Sequence, residues 1–478
     1  MRRFFAKNLL FIVSLNLLIK PLWIFMIDRT VQNKVGHASY GMYQALMNLG
    51  LVFQILLDFG ISNYNSTALA QNPRRLRVLF PAMLSARMIL SLLYFSIVFC
   101  IGFLLGYRGW QLAMLLGVLS IQTLASLMLF IRSNASGLHR FKVDGLLSIS
   151  DRLLMIMLCG FLLWYPTTAA HFKIEWFIGA QIVCYSFAIL LGLFLLKRIS
   201  DVRLHFTFDR KRIISIIRTT LPYASLIFLM SVYTRADTLL IERLTNDEQA
   251  GIYAAAYRLL DVGNMFGLMF AGMLLPIFGR MLAEKKSVQP IVQLCVNLLL
   301  PVSLLVSVAA IYFCEDIMHL LYKNATGDSI VVFVFLMIAF PAYSLSNVYS
   351  TLLTANGDLK LLNRIALLGV VVNLSLNFWL IPLLAAIGAA FAAFITQSTL
   401  ALCFILFATR QTQLRRNLRW TLSFLFFALL LIAFGYGVKI LPWSWLVQLS
   451  VLMVMGISTI FLFRFVSISS VQKLISKD

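Results

Sequence analysis

Long apolar stretches recur along the whole chain and limit its fold more than any other feature. They are separated by short polar segments, and 61% of the 478 residues are hydrophobic. A helix needs about 20 apolar residues to cross a bilayer, whereas a barrel strand needs only about 10. The sequence therefore predicts an all-α integral membrane protein. Its 14 transmembrane helices are predicted at 5–28, 39–65, 78–106, 110–131, 143–165, 174–196, 219–242, 250–279, 290–313, 329–355, 361–382, 385–409, 420–440 and 444–465.

Basic residues are distributed unevenly between alternate polar segments. The chain has 40 Lys and Arg against 18 Asp and Glu, a balance that would also suit a nucleic-acid-binding protein. With the N-terminus in the cytoplasm, 28 basic residues fall in cytoplasmic segments and seven in outer segments. Lys and Arg accumulate on the cytoplasmic side of membrane proteins. The charge is thus explained by topology, which argues against a nucleic-acid partner and predicts that both termini are cytoplasmic.

Two sequence similarities, in the same order, relate the first half of the chain to the second. Six spans separate the copies, an even number, so both copies share one orientation. Parallel repeats build transporters that bind substrate between the halves and alternate access by rocking. We predict an N-lobe of helices 1–6 at 1–196, a basic cytoplasmic linker at 197–218, a C-lobe of helices 7–12 at 219–409, and helices 13–14 with a cytoplasmic tail at 410–478. The matched segments are 132–141 with 351–360, 27–30 with 241–244, and 40–43 with 250–253.

Several charged residues lie within the predicted spans, where each costs about 2.5–3.5 kcal/mol on insertion scales. Such residues usually face the bundle interior or a watery cavity and mark substrate or ion paths. Arg258 and Asp261 are one turn apart and could neutralise each other. Asp151 and Arg152 are adjacent and are not expected to face one another. The charged residues are Lys20, Arg87, Arg152, Arg235, Arg258, Asp58, Asp151, Asp237 and Asp261.

The motif YTRAD at 233–237, with GIY at 251–253 and AYRL at 256–259, resembles the polysaccharide-transporter flippases. These belong to the multidrug/oligosaccharidyl-lipid/polysaccharide exporter superfamily. YGMY at 40–43 and LDFGI at 57–61 support the resemblance, which covers essentially the whole chain. It implies a bacterial inner-membrane protein that moves undecaprenyl-diphosphate-linked oligosaccharides, such as O-antigen, capsule or exopolysaccharide units, to the outer leaflet. It implies no enzymatic activity and no cofactor, and leaves coupling to H⁺ or Na⁺ open.

A lipid-linked oligosaccharide would explain the cations within the spans. Its diphosphate is anionic, and Arg is suited to bidentate contacts with phosphate. Its sugars require hydroxyl, amide and aromatic groups in a wet cleft. We predict a cationic substrate-binding cavity formed by Arg235, Arg258, Arg87, Arg152 and Lys20. Asp237, Asp58 and Asp261 are predicted to serve in ion coupling or gating, with Asp237 the first candidate for coupling. Polar and aromatic candidates are Tyr43, Gln44, Asn48, Tyr223, Tyr233, Tyr253, Tyr257, Asn264, Asn373, Asn377 and Gln397.

Three other functions stay open. A peptidoglycan-precursor flippase would use the same cationic chemistry. A multidrug antiporter would favour an acidic cavity, whereas the first span carries Lys20 and has Asp28 only at its outer edge. A membrane polysaccharide polymerase or ligase would need a sizeable outer loop, but the longest, at about 314–328, is predicted to be a short amphipathic surface segment.

The expected partners are the substrate and membrane lipids. The expected functional unit is a monomer, with association with polysaccharide polymerase machinery left open.

Overall fold

The computed structural model describes residues 19, 21–62, 65–66, 69, 72, 75–138, 140–199, 210–414 and 417–465. These residues form helices and no β-strand, and the chain divides into two compact units, Met1–Gly251 and Ile252–Asp478. The elements are a π-helix at Trp23–Asp28, α1 (Arg29–Val52), a 3₁₀ turn at Gln54–Leu57, α2 (Leu76–Leu104), α3 (Trp110–Gly137), α4 (Phe141–Trp164), α5 (Pro166–Ala170), α6 (Ile174–Ile199), α7 (Arg210–Leu244), α8 (Asp247–Ala283), α9 (Gln289–Tyr312), α10 (Cys314–Leu321), α11 (Gly327–Ala355), α12 (Leu359–Gln411), α13 (Leu418–Lys439) and α14 (Trp445–Leu462).

Eleven of the described helices are long and apolar enough to cross a membrane. This confirms the predicted class, a multi-pass α-helical membrane protein. Helix α12 has 53 residues, which corresponds to about 80 Å at a rise of 1.5 Å per residue and is more than twice the thickness of a bilayer core. Its backbone leaves helical geometry at Ala385 (φ 48°), the first residue of the span predicted at 385–409 and three residues after the span predicted at 361–382. The count of fourteen spans stays a prediction, because most of the span predicted at 5–28 lies outside the described residues.

The chain folds back on itself at this break in α12. A Cβ added to Gly388 would overlap the carbonyl oxygen of Leu380. In a continuous helix these two residues would be separated by about 12 Å along the axis. The two parts of α12 are therefore joined by a very short reversal.

The predicted second span, 39–65, is not one continuous helix. Helix α1 begins at Arg29, changes direction at Gly36 (φ 83°) and ends at Val52. After the 3₁₀ turn, Phe59 and Gly60 have φ values of 41° and 78°, in the left-handed region. Hydropathy carries no information on backbone dihedral angles, so an unbroken helix is expected from the sequence alone and is wrong here.

Helix α3 lies at the centre of the first unit and packs against α1, α2, α4 and α6. The rings of Phe80 on α2 and Phe130 on α3 are 5.3 Å apart within this core. Helix α7 packs along α1 in the same unit. Since lipid tails are as apolar as these side chains, close packing and interhelical hydrogen bonds hold such helices together.

In the second unit, α11 packs against α9 and α12. Helix α9 also packs against the last two helices, α13 and α14. Trp420 on α13 donates its indole N–H to Asn297 Oδ1 on α9 at 2.7 Å. Tyr312 donates its hydroxyl to the carbonyl of Ile432 at 3.0 Å. These polar contacts fix α13 to α9. The amphipathic outer segment predicted at about 314–328 contains the short helix α10, with Met318 buried.

Candidate functional site

Arg87, a predicted substrate residue on α2, is held by a dense set of partners in the first unit. One guanidinium nitrogen donates to the carbonyl and hydroxyl oxygens of Ser126 at 2.7 and 2.8 Å. The other forms an ion pair with Asp58 and donates to Ser62 Oγ at 2.6 Å. The ring of Phe130 lies 5.1 Å from the guanidinium carbon. The side chain is only 3% exposed.

Asp58, predicted for coupling or gating, occupies the interrupted part of the second span. Its carboxylate accepts hydrogen bonds from the backbone N–H and the hydroxyl of Ser62 at 3.1 and 3.0 Å, as well as from Arg87. Arg87 thus ties the broken segment to α3. A ligand would have to displace these partners, so a substrate role for Arg87 and a gating role for Asp58 stay predictions. The contacts themselves stabilise the helix break.

Arg152 on α4 is less enclosed and keeps 29% of its side chain exposed. Its Nε lies 3.6 Å from the Asp151 carboxylate. The expectation that these adjacent residues do not face each other is therefore wrong, because the long Arg152 side chain reaches the carboxylate of its neighbour. The guanidinium lies over the ring of Trp23, 5.3 Å from its centroid. Trp23 belongs to the π-helix. Helices of this type are rare in proteins, and those that occur are often at functional sites.

An aromatic and amide cluster continues from Trp23 into the first unit. Trp23 stacks on Phe177 with ring centroids 5.9 Å apart, and Tyr43 meets Phe177 edge-on at 5.5 Å. Gln181 donates to the Tyr43 hydroxyl at 3.0 Å. Arg152 therefore lies at the border of a buried cluster of aromatic and amide groups, in which Tyr43, Phe177 and Gln181 are at most 3% exposed.

Arg235 and Asp237 lie two residues apart on α7. Arg235 is half-buried, and Asp237 is buried. Two residues that are two positions apart on a helix point in different directions, and their unequal exposure agrees with this. Asp237 is a carboxylate placed inside an apolar helix, the property that made it the first candidate for ion coupling.

Arg258 and Asp261 lie on α8 in the second unit. One guanidinium nitrogen is 3.8 Å from the Asp261 carboxylate, and the Arg258 side chain is 22% exposed. The i,i+3 pairing predicted from the sequence is therefore present. One turn earlier, Tyr253 stacks on Tyr257 with centroids 5.7 Å apart. A partly exposed cation next to a stacked aromatic pair could bind a charged and sugar-bearing ligand.

The second unit also contains hydrogen-bonded amide pairs. Asn347 donates to Asn264 at 2.8 Å, Asn377 to Asn373 at 3.1 Å, and Gln397 to Ser346 Oγ at 3.0 Å. The interior of this unit therefore contains hydrogen-bonded polar side chains on α8, α11 and α12. Lys20 and the side chain of Tyr223 lie outside the described residues.

Sequence reasoning missed a charged cluster that is centred on Glu242, near the end of α7. The Tyr107 hydroxyl donates to Glu242 Oε2 at 2.6 Å. Arg243 forms an ion pair with the same carboxylate and donates to the carbonyl of Leu105 at 2.8 Å. The available signal was the repeat, which aligns Glu242 with Asp28. Both acids are buried, yet neither was assigned a role.

Sequence comparisons place the chain in a family. The family described as "polysaccharide biosynthesis protein" matches residues 5–282, and the MatE family matches residues 222–379. The capsular polysaccharide biosynthesis protein CapF of Staphylococcus aureus is 21% identical over 229 residues. That alignment covers 47% of this chain and 57% of CapF, so the chain matches little more than half of this relative.

Three solved structures share the fold. The lipid II flippase MurJ in an inward closed conformation has a TM-score of 0.66 at 14% identity, covering 99% of this chain and 100% of that chain. A multidrug resistance MATE family transporter of the MOP superfamily, inward-facing, has a TM-score of 0.62 at 14% identity, with coverages of 84% and 94%. The Vibrio cholerae MATE transporter VcmN in its bent form has a TM-score of 0.57 at 14% identity, with coverages of 85% and 97%.

The fold is thus that of the membrane transporters of the MOP superfamily, the multidrug/oligosaccharidyl-lipid/polysaccharide exporters. Within that class, the chain belongs to the family of polysaccharide biosynthesis proteins, whose profile covers more than half of its length. The resemblance to polysaccharide flippases predicted from the sequence motifs is confirmed.

Proposed function

We propose that this protein is a flippase for undecaprenyl-diphosphate-linked oligosaccharide in a bacterial inner membrane. It moves an O-antigen, capsule or exopolysaccharide repeat unit from the cytoplasmic to the outer leaflet by alternating access. Two parallel six-helix lobes and two C-terminal helices, fourteen spans in all, carry out this movement, with both termini in the cytoplasm. The family membership supports the polysaccharide part of the proposal, and the fold supports the transport part.

The observation that carries the substrate class is the exposure of cations within apolar helices. Arg152 and Arg258 keep 29% and 22% of their side chains exposed, whereas Arg87 keeps only 3%. A partly exposed guanidinium in an apolar helix has room for the diphosphate, which cannot cross hydrocarbon unaided. Arg235 is assigned the same role on α7.

The neighbouring groups fit the rest of the substrate. The partly exposed Tyr257, next to Arg258 in the sequence, is the aromatic group proposed to meet the sugars. Tyr253 and Trp23 are buried and pack against Tyr257 and Arg152 respectively. The polyprenyl tail stays in lipid beside the bundle. Asp237 is assigned to coupling with H⁺ or Na⁺, while Asp261 is assigned mainly to neutralising Arg258. The protein acts as a monomer that delivers its substrate to the polysaccharide polymerase machinery.

A genetic experiment tests the function. Deletion of the gene is expected to abolish one surface polysaccharide while lipid-linked repeat units accumulate in the inner membrane. Unchanged surface polysaccharide together with altered drug sensitivity would contradict the proposal and favour a drug antiporter.

Substitutions on α8 test the cationic site. Arg258→Ala is expected to lower export about 10- to 100-fold, the range for losing hydrogen bonds to a charged group, with partial recovery in Arg258→Lys. The matched control is Arg280→Ala on the same helix, where the side chain is 71% exposed and pairs with Glu284. Surface polysaccharide is measured at equal expression. Full export by both Arg258 variants would remove this residue from the site.

A second candidate is a flippase for peptidoglycan precursors, because MurJ superposes on 99% of this chain. The chemistry of its site would be the same, since that substrate is also a lipid-linked diphosphate sugar. Rescue of growth in a strain depleted of its own peptidoglycan-precursor flippase would support this second candidate. Absence of rescue, with restored surface polysaccharide in the deletion strain, would support the first.

A further inference from the structure

Two acidic residues occupy matched positions in the internal repeat. The segment 27–30 aligns with 241–244, which places Asp28 opposite Glu242. Both carboxylates are buried, at 3% and 5% exposure, and both accept a hydrogen bond from a tyrosine hydroxyl. Tyr40 donates to Asp28 at 2.8 Å, and Tyr107 donates to Glu242 at 2.6 Å. The same carboxylate–tyrosine bond has thus been built twice within the first unit.

The two tyrosines have different origins. Tyr40 follows Asp28 by 12 residues and belongs to the same repeat copy. Its counterpart in the second copy is Ala250, which has no hydroxyl. Glu242 instead takes its hydrogen bond from Tyr107, 135 residues away in the turn between α2 and α3. The first bond is local, whereas the second joins residues of the two predicted lobes.

Arg243 adds a second bond across the same boundary. Its Nε donates to Glu242 Oε2 at 2.6 Å, and another of its nitrogens donates to the Leu105 carbonyl at 2.8 Å. Its guanidinium lies 4.0 Å from the centroid of the Tyr107 ring. We call Leu105, Tyr107, Glu242 and Arg243 the outer clasp, because the charge distribution predicts that this side faces outward.

A close helix contact lies beside the outer clasp and also joins the two repeat copies. A Cβ added to Gly41 on α1 would overlap the Asp247 carbonyl on α8, and one added to Gly251 would overlap the His37 carbonyl. Gln32 donates to the Gly251 carbonyl at 2.9 Å. Gly41 and Gly251 are themselves matched in the repeat. The backbones of α1 and α8 therefore touch through two equivalent glycines.

We propose that the outer clasp keeps the outer side of the protein closed and opens during transport, with Glu242 as its central hydrogen-bond acceptor. This inference rests on the proposed transport function and deepens it. Alternating access requires the predicted lobes to separate on the outer side, and the clasp bonds are among those that must break. The side chain of Arg243 is already 25% exposed, whereas Glu242 and Tyr107 are buried and become hydrated only when the clasp opens. The local bond between Asp28 and Tyr40 has no need to open.

The experiment measures how readily an outer reagent reaches the interior of the protein without substrate. Gln44, buried one turn beyond Gly41 on α1, is replaced by Cys in a chain whose six native cysteines are replaced by Ala. In right-side-out vesicles, a membrane-impermeant maleimide should label this position slowly in the parent. Glu242→Gln and Tyr107→Phe should each raise the rate about tenfold, the factor for losing a hydrogen bond to a charged group.

The matched control is Tyr40→Phe, which removes the equivalent hydroxyl from the local bond and should leave the labelling rate unchanged. Unchanged labelling in both Glu242→Gln and Tyr107→Phe, in folded protein, would overturn the proposal. An equal increase in Tyr40→Phe would also overturn it, since the effect would then reflect general loosening. No glycan is present, so failure of the proposed substrate would appear in the export assay and leave this result intact.

Discussion

Asp28 and Glu242 occupy matched positions in the repeat but lie in two different environments. The comparison separates a bond that stabilises the fold from a bond that stabilises one conformation. Asp28 is bound by Tyr40 from its own repeat copy. Glu242 is bound by Tyr107 from the other copy, and its neighbour Arg243 reaches the same turn through the Leu105 carbonyl. A local bond stabilises the protein in every conformation that keeps the local helices together. A bond across copies stabilises only the conformations in which those copies meet.

The largest effect is expected where the two copies touch most closely. Gly251→Ala places a methyl group against the His37 carbonyl, so α1 and α8 must move apart. Export should fall about 5- to 100-fold, because overpacking typically costs 1–3 kcal/mol. The control is Gly279→Ala on the same helix, where a Cβ meets nothing within 4 Å. Export by Gly251→Ala at the level of Gly279→Ala would show that this contact is dispensable.

An intermediate effect is expected on thermal stability, which should differ between the Tyr40→Phe and Tyr107→Phe variants. Tyr40→Phe leaves a buried carboxylate short of a hydrogen bond in every conformation, at a cost of about 1–3 kcal/mol. Tyr107→Phe should cost less, because the bond from Tyr107 to Glu242 is made only in conformations in which the clasp is closed. Thermal unfolding in one detergent compares them. The contrast breaks down if Tyr107→Phe lowers the midpoint as much as Tyr40→Phe does.

The smallest effect is expected from pH. Burial, followed by the nearby Glu242 carboxylate, raises the pKa of Tyr107 above its ordinary value of about 10. The protonated Tyr107 hydroxyl is the hydrogen-bond donor to Glu242. The stability that this bond gives the clasp is therefore complete below pH 10 and is lost only as the pH rises through the raised pKa of Tyr107. Arg243 and Asp247 are the other charged groups around this hydroxyl. Labelling of the Cys at position 44, normalised to unfolded protein at each pH, should therefore stay constant from about pH 8 to 9. A rise within that window would mean that another group controls the clasp.

Much of the architecture follows from the sequence because apolar length and charge asymmetry are direct consequences of the bilayer. Most of the long helices from α2 onward begin and end within a few residues of the predicted spans, but α7 begins at Arg210, nine residues before its predicted start and inside the predicted linker. The break at Phe59 and Gly60 was beyond prediction, because it depends on backbone dihedrals that an apolar pattern does not encode. Asp58 and Arg87 supply the compensating contacts, and these join segments far apart in the chain.

The candidate site was predictable to the extent that its contacts are local. The pair of Arg258 and Asp261 follows from helical spacing, whereas the partners of Arg87 and Glu242 come from other helices. The repeat identified Glu242 as the equivalent of Asp28 but could not supply Tyr107, which lies outside the matched segments. Side chains that join distant segments require the fold before they can be recognised.

The reversal of α12 at Ala385 has a practical consequence for anyone mapping how the chain crosses the membrane. Gly388 lies directly against the Leu380 carbonyl, so this connection has no slack for an inserted epitope or reporter. An insertion there would separate two packed segments, and a negative signal would report misfolding instead of sidedness. The connection between α13 and α14, at residues 440–444, is exposed at four of its five residues and is the better place to read which side of the membrane this end of the protein faces.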